Sequence, residues 1–270
     1  MNRQIFRNNF TLFFAAFLVV ASVSFSHGQG QPEDPSVTAS VRAARQAGLS
    51  ETALNQLLIL AVDHRLEDAG VVRLVNFLQT VQTEDFPIGP FMGKIEEGLT
   101  KQIPLNTIAA VLAQKLDDYR FVSGVLTKKI GEQEISHQDL SRMVGSLDGG
   151  ITREEFTRFI LEASGQDPAM LARATEILAL LKQVRFNESL TREILFTGLR
   201  KNSLSQSWDY LARVVVTAKR RQIPDDEIAR AALEALEANR PLGDFMVTLG
   251  FTSRDLRRGP AMGPSAESNQ

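Results

Sequence analysis

The residues best placed for chemistry lie in one stretch, Ser146-Leu147-Asp148-Gly149-Gly150-Ile151-Thr152-Arg153-Glu154-Glu155-Phe156. Ser146, Asp148 and Glu155 bring oxygen-bearing side chains around a Gly-Gly turn. Oxygen donors on a tight turn are what a hard divalent cation such as calcium needs. The same residues also suit a second task. Thr152 and Glu155 stand three apart, the spacing of a capping box that ties off the first free N–H groups of a helix.

The cation reading resembles the second half of an EF-hand loop, in which ligands fall at positions 1, 3, 5, 7, 9 and 12 and glycine at 6. With Glu155 at position 12, Gly149 takes position 6, Asp148 position 5 and Ser146 position 3. Val144 then holds position 1 and brings no side-chain oxygen. No complete second loop pairs with it, because "KKIGEQEISHQDL" puts Lys128 at position 1. The half-loop covers 144–156 and implies metal ligands at Ser146, Asp148 and Glu155. The helix-start reading is the preferred one, since its frame recurs elsewhere in the chain.

Other constellations are sparse. The chain has no cysteine, which removes thiol nucleophiles, thiolate metal ligands and disulfides together. His27, His64 and His137 are not at zinc-ligand spacing. Neither a nucleophile elbow, an HExxH helix nor a glycine-rich phosphate loop occurs in the sequence. Glu96/Glu97, Asp117/Asp118 and Asp225/Asp226 are adjacent pairs, so they cannot face each other on a helix. Lys219-Arg220-Arg221 suits the end of a helix, where cations meet the negative end of the dipole. Trp208 and Tyr210, with Leu204 and Leu211, read as core residues of a helix. Asn187-Glu188-Ser189 matches the glycosylation acceptor pattern.

The elements that must position these residues are helical throughout. Leu54, Leu57, Leu58 and Ala61 follow the 3.6-residue period, as do Leu171, Ala174, Ile177, Leu178 and Leu181, and Ile228, Ala231, Ala232, Ala235 and Leu236. Helix starts repeat one frame: an apolar residue, a hydroxyl cap, and an apolar residue four positions after the cap. It occurs at Leu49-Ser50, Ile135-Ser136, Ile151-Thr152, Leu190-Thr191 and Phe251-Thr252, with Pro variants at Ile103-Pro104 and Ile223-Pro224. The expected fold class is all-α, an array or bundle of short helix hairpins.

The chain also repeats at an offset of 100. "VVRLVNFLQTV" (71–81) lies over "LARATEILALL" (171–181), and "KIEEGLTK" (94–101) over "ILFTGLRK" (194–201), sharing the pairs Gly98/Gly198, Leu99/Leu199 and Lys101/Lys201. Two copies of a helical unit are expected, over 37–135 and 136–250. "EEGLTKQIP" resembles a turn in uncharacterised exported bacterial α-helical repeat proteins, a Gly-Leu-x-Lys turn before a Pro-initiated helix. The resemblance spans about a dozen residues per copy and implies a fold without an activity. The second copy departs from it, with Leu204-Ser205 where the first has Pro104-Leu105.

Both ends differ from this body. Arg3 and Arg7 precede an uncharged apolar run of 16 residues, Phe10 to Phe25, followed by small polar residues. That is the layout of a signal peptide, expected over 1–28, with a linker over 29–36. The run is short for a membrane span of about 20 residues, so membrane attachment is expected only if the segment is left uncleaved. Its removal takes two arginines and no acid, leaving 28 basic against 32 acidic residues, a net charge of −4. That balance carries no basic face for nucleic acid. The end, 251–270, is expected to hold a short helix and a disordered Gly/Pro/Ser tail. These features point to a periplasmic or secreted, non-catalytic helical protein that binds or scaffolds a protein partner and needs no cofactor. Two alternatives stand beside it: a weakly calcium-responsive protein, and an enzyme whose site is assembled from dispersed acids.

Overall fold

The computed structural model describes residues 36–131, 133–164 and 167–252. The expected signal peptide, most of the linker and the tail beyond Thr252 lie outside the described residues. Within them the chain forms twelve α-helices, one 3₁₀ turn and no strand. They are α1 (Val37–Gln46), α2 (Glu51–Asp63), α3 (Asp68–Thr83), α4 (Gly89–Thr100), α5 (Leu105–Ile130), α6 (His137–Asp148), α7 (Arg153–Glu162), α8 (Pro168–Gln183), α9 (Glu188–Lys201), the 3₁₀ turn (Gln206–Tyr210), α10 (Leu211–Arg220), α11 (Asp225–Glu237) and α12 (Leu242–Thr248). The fold is all-α, and the described residues, which begin at Ser36, make one compact unit.

The helix ends explain why the chain turns where it does. At ten places a residue one or two positions past a helix end takes a positive φ, and the next N–H reaches the carbonyl five residues back. Leu49 to Ala44, Leu66 to Ala61, Phe86 to Val81, Ile151 to Ser146 and Phe186 to Leu181 are examples, at 2.9–3.3 Å. These are Schellman turns, which satisfy carbonyls that the helix end would otherwise leave free. Most of these closing residues are apolar, so one side chain both seals the old helix and leads into the next. Ser50 and Thr152 then cap the new helix through their hydroxyls, and Ser36 and Ser136 cap α1 and α6 in the same way.

Only three of the ten turns use glycine, at Gly48, Gly150 and Gly250. Arg65, Asp85, Gln102, Arg185, Asn202, Gln222 and Asn239 hold φ values of 52–60°. The left-handed conformation costs an L-residue about 1–2 kcal/mol, against about 0.5–1 for the extra chain entropy of glycine. Gln222→Gly is therefore expected to raise stability by about 0.5–1 kcal/mol, read from the midpoint of urea unfolding.

One frame is placed differently from the sequence reading. Helix α9 starts at Glu188 and is capped by Asn187, whose Oδ1 accepts from the Leu190 N–H at 3.1 Å. Thr191 lies in the first turn and donates its hydroxyl to the Asn187 carbonyl. Asn187 follows the Arg185-Phe186 turn directly, so it meets the free N–H groups first.

Packing runs mainly between every second helix. The closest partners are α6 with α8, α9 with α11 and α1 with α3, with α3 on α5, α5 on α7 and α8 on α10 continuing the order. Side-chain bonds rung the stack at a regular interval. Lys115–Asp148 spans 33 residues, Gln183–Gly149 and Lys219–Arg185 span 34, and Arg120–Glu84 spans 36. Each helix pair is thus registered on the next about one hairpin further along. Elements at an offset near 100 also correspond: α1 and α6 start at 37 and 137, α3 and α8 at 68 and 168, and the left-handed residues fall at 85/185 and 102/202.

A continuous apolar core follows the stack from Val41 to Phe251. The sequence stripes supply it: Leu54, Leu57, Leu171, Ala174, Ile177 and Ile228 are buried. Gly98 and Gly198 explain their shared motif. A Cβ on Gly98 would stand 2.7 Å from Ile108, and one on Gly198 would stand 2.5 Å from Leu204. At both places the missing side chain lets the next apolar residue rest on helix backbone.

Candidate functional site

Ser146, Asp148 and Glu155 turn to different partners. Residues 144–148, the opening of the half-loop, are the last turn of α6. Ser146 is 2% exposed, and its hydroxyl donates to the Met143 carbonyl at 2.6 Å. Asp148 is the exposed end of that helix and lies 3.4 Å from the Lys115 ammonium. Glu155 belongs to α7 and makes the capping box with Thr152: the Thr152 N–H donates to Oε2 at 2.8 Å, and Thr152 Oγ1 accepts the Glu155 N–H at 3.2 Å. Gly150 supplies the left-handed turn at φ 97°. Gly149 lets α8 come close, since a Cβ there would stand 2.9 Å from that of Ala179.

Glu155 carries a second load. The Lys182 ammonium of α8 bonds both of its carboxylate oxygens, at 2.7 and 2.6 Å. Lys182 holds the carboxyl below the ordinary carboxylate range, against the opposing pull of burial, and the Thr152 N–H helps. A depressed pKa in the folded state means stability that is present above the unfolded value near 4.3 and is lost as pH falls. Glu155→Gln is expected to cost about 0.2–1 kcal/mol at pH 7, from the lost partly exposed pair with Lys182, because the amide oxygen of glutamine can still accept the Thr152 N–H. The cost should shrink below about pH 4 and stay the same in millimolar calcium; chemical denaturation at pH 3 and pH 7, with and without the ion, measures it.

Most of the other candidates are engaged within or between helices. Asp117 and Asp118 both accept from Arg153, each at 2.6 Å, and that guanidinium lies 4.9 Å from the Phe121 ring. Glu97 bonds Lys101 and Lys94 and is held down to about 2. Asp225 accepts the Asn187 N–H at 3.0 Å. Lys219 donates to the Arg185 carbonyl and lies over Phe186, while Arg221 stacks on Phe251 at 4.4 Å. His137 lies 3.0 Å from the Asp85 carbonyl through Nε2. Trp208 is fully buried and stacks on Phe245, but it sits in the 3₁₀ turn, and Tyr210 at its end is 51% exposed.

Sequence reasoning missed two arrangements. The first is a half-buried ion network. Arg142 of α6 pairs with Glu176 at 2.6 Å and with Asp209 at 3.3 Å, and Arg173 of α8 pairs with the same Asp209 oxygen at 3.0 Å. Arg173 also donates to the Leu204 carbonyl at 2.8 Å. It stands at the repeat position of Arg73, which donates to Asn106 at 2.7 Å, so the shared arginine of the two copies was the available signal.

The second is a groove of about 180 Å³ across α7, α8 and α9. Its floor is Ile151, Leu178 and Phe186, and its rim carries Glu155, Arg158, Lys182, Glu188 and Arg192. Lys182 is committed to Glu155. Arg192 is committed to Glu162 and lies 5.1 Å from the Phe196 ring. Glu188 lies in the first turn of α9, where the helix dipole favours an acid. Arg158 is exposed and, among the described residues, makes no hydrogen bond or ion pair. The groove can take an apolar group, and its rim carries two charges without an ion pair among the described residues, the Arg158 guanidinium and the Glu188 carboxylate.

The fold and this site define a helical array with a small amphipathic groove. Among the described residues, no helix is long and apolar enough to cross a membrane. Comparison with protein-family models, curated proteins and solved structures found no match to the chain.

Proposed function

We propose that the protein is an exported, non-catalytic binding or scaffolding protein, built on a duplicated helical unit, that holds a partner protein along its stacked helices. The observation that carries this reading is the registered stack. Helix pairs bonded at intervals of about 33–36 residues present a long lateral surface made of repeated elements. Many polar side chains with chemical potential, among them Asp117, Asp118, Glu155 and Asp209, are engaged in holding that stack. Export rests on the amino-terminal pattern of Arg3, Arg7 and the apolar run.

The test is cross-linking in the cell envelope of a host that expresses the full chain, with cross-links mapped to residues. The expected result is one recurrent partner linked to neighbouring helices, which then forms a defined complex with the purified protein. Failure to reconstitute any complex would overturn the reading.

A further inference from the structure

We propose that Arg42 of α1 and Arg73 of α3 form a docking site for an acidic segment of the partner protein, whose carboxylates they grip. This rests on the reading of the protein as a binding array and names the chemistry of one contact.

The second copy of the unit supplies the template. Arg42 and Arg142 stand at the same place in α1 and α6, as do Arg73 and Arg173 in α3 and α8, and α1 packs on α3 as α6 packs on α8. In the second copy two acids neutralise the arginines. Arg142 holds Glu176 at 2.6 Å, and Asp209 Oδ1 lies 3.3 Å from Arg142 and 3.0 Å from Arg173. One carboxylate oxygen is thus within reach of both guanidinium groups. In the first copy the corresponding residues are Asn76 and Ala109, and neither brings a charge. Arg73 donates to the neutral Asn106 side chain at 2.7 Å, and Arg42 makes no hydrogen bond or ion pair among the described residues. Both are exposed, where Arg142 and Arg173 are partly buried. The first copy keeps the arginines without their counter-charges.

Other acids of the first copy do not stand in for them. Glu51 is held by Arg45, and Glu84 by Arg120. Glu33, Asp34, Glu67 and Asp68 precede or open α1 and α3, at positions matching 133, 134, 167 and 168. None of those four enters the ion network of the second copy, and Asp167 instead caps α8 through the Ala169 N–H at 3.1 Å. The template also chooses the occupant. Guanidinium forks that close on a glutamate and an aspartate in one copy fit the same carboxylates from outside in the other. A basic segment would add to the repulsion between the two arginines, and an acidic one completes the charge pattern.

The experiment is isothermal titration calorimetry of the purified full chain at low salt. The probe is the end-blocked peptide Gly-Glu-Asp-Glu-Gly, compared with Gly-Gln-Asn-Gln-Gly and with inorganic phosphate. Saturable binding of the acidic peptide is expected, with the amide peptide about tenfold weaker, the scale of one charge-assisted contact. Arg42→Ala and Arg73→Ala should each lower affinity for the acidic peptide by a similar factor. Asn76→Glu should do the same from the other side, by restoring the acid that faces Arg142 in the second copy, and should raise the melting temperature. Arg42, Arg73 and Asn76 are exposed, so circular dichroism should find the variants folded. Absence of saturation at millimolar peptide, equal binding of the amide peptide, tighter binding of phosphate than of the peptide, or unchanged binding in Arg42→Ala and Asn76→Glu would overturn the assignment. In the cross-linking experiment, an Asn76→Glu protein that still captures the same partner removes this contact and leaves the binding reading standing.

Discussion

Alanine at Trp208 is expected to lower stability by about 3–5 kcal/mol, the largest loss from any single core truncation in the chain. Trp208 is the largest of the fully buried side chains, and its ring stacks on Phe245 at 5.8 Å. It stands where the 3₁₀ turn links the α8 layer to α12, so its removal opens a cavity that both sides line. The indole N–H is buried with no acceptor among the described residues. A buried unmatched donor costs stability. Trp208→Phe should therefore cost about 1–2 kcal/mol, well below the truncation, because it removes that donor as well as volume. Urea unfolding of the three proteins reads both differences. A phenylalanine variant as damaged as the alanine one would contradict the account of the N–H.

One substitution is expected to act with opposite signs at two helix positions. Gly198→Ala should cost about 1–3 kcal/mol, because its Cβ would stand 2.5 Å from Leu204 in a packed contact. Gly124→Ala should gain about 0.5–1 kcal/mol, because an added Cβ in α5 meets nothing within 4 Å and alanine favours the helix. Combining Gly198→Ala with Leu204→Ala tests the contact itself. The double variant should be more stable than the sum of its parts by about 1 kcal/mol, since the shortened leucine no longer opposes the methyl. Thermal unfolding of the set measures all of these. Additive losses would assign the role of Gly198 to something other than close approach.

These residues also mark how far the sequence could be read. The helices were legible because the apolar stripes at 54–61 and 171–181 have one period, and that period needs only one buried face. The capping box at Thr152 and Glu155 was legible for the same reason, being local and three residues long. The cap of α9 was not, because Thr191 and Asn187 both fit a helix start and the choice depends on the preceding turn. Seven left-handed turns escaped notice, since Arg, Asp, Gln and Asn hold them in place of glycine. The groove was illegible because Ile151, Leu178 and Phe186 come from separate elements and each reads alone as an ordinary core residue. Lys182 and Glu155 are 27 apart in sequence, and no local pattern joins them.

The interval between the rungs has a consequence for how the protein assembles. Most of the side-chain bonds between neighbouring helices reach only 27–38 residues along the chain, and the longest, Arg142–Asp209, reaches 67. Closing such short loops costs little entropy, and chains dominated by near neighbours fold fast. A helix pair emerging during synthesis already has its contact partner behind it, and can close before the carboxy-terminal third exists. Opening would follow the same order in reverse, beginning at whichever end has a single neighbour and spreading inward pair by pair.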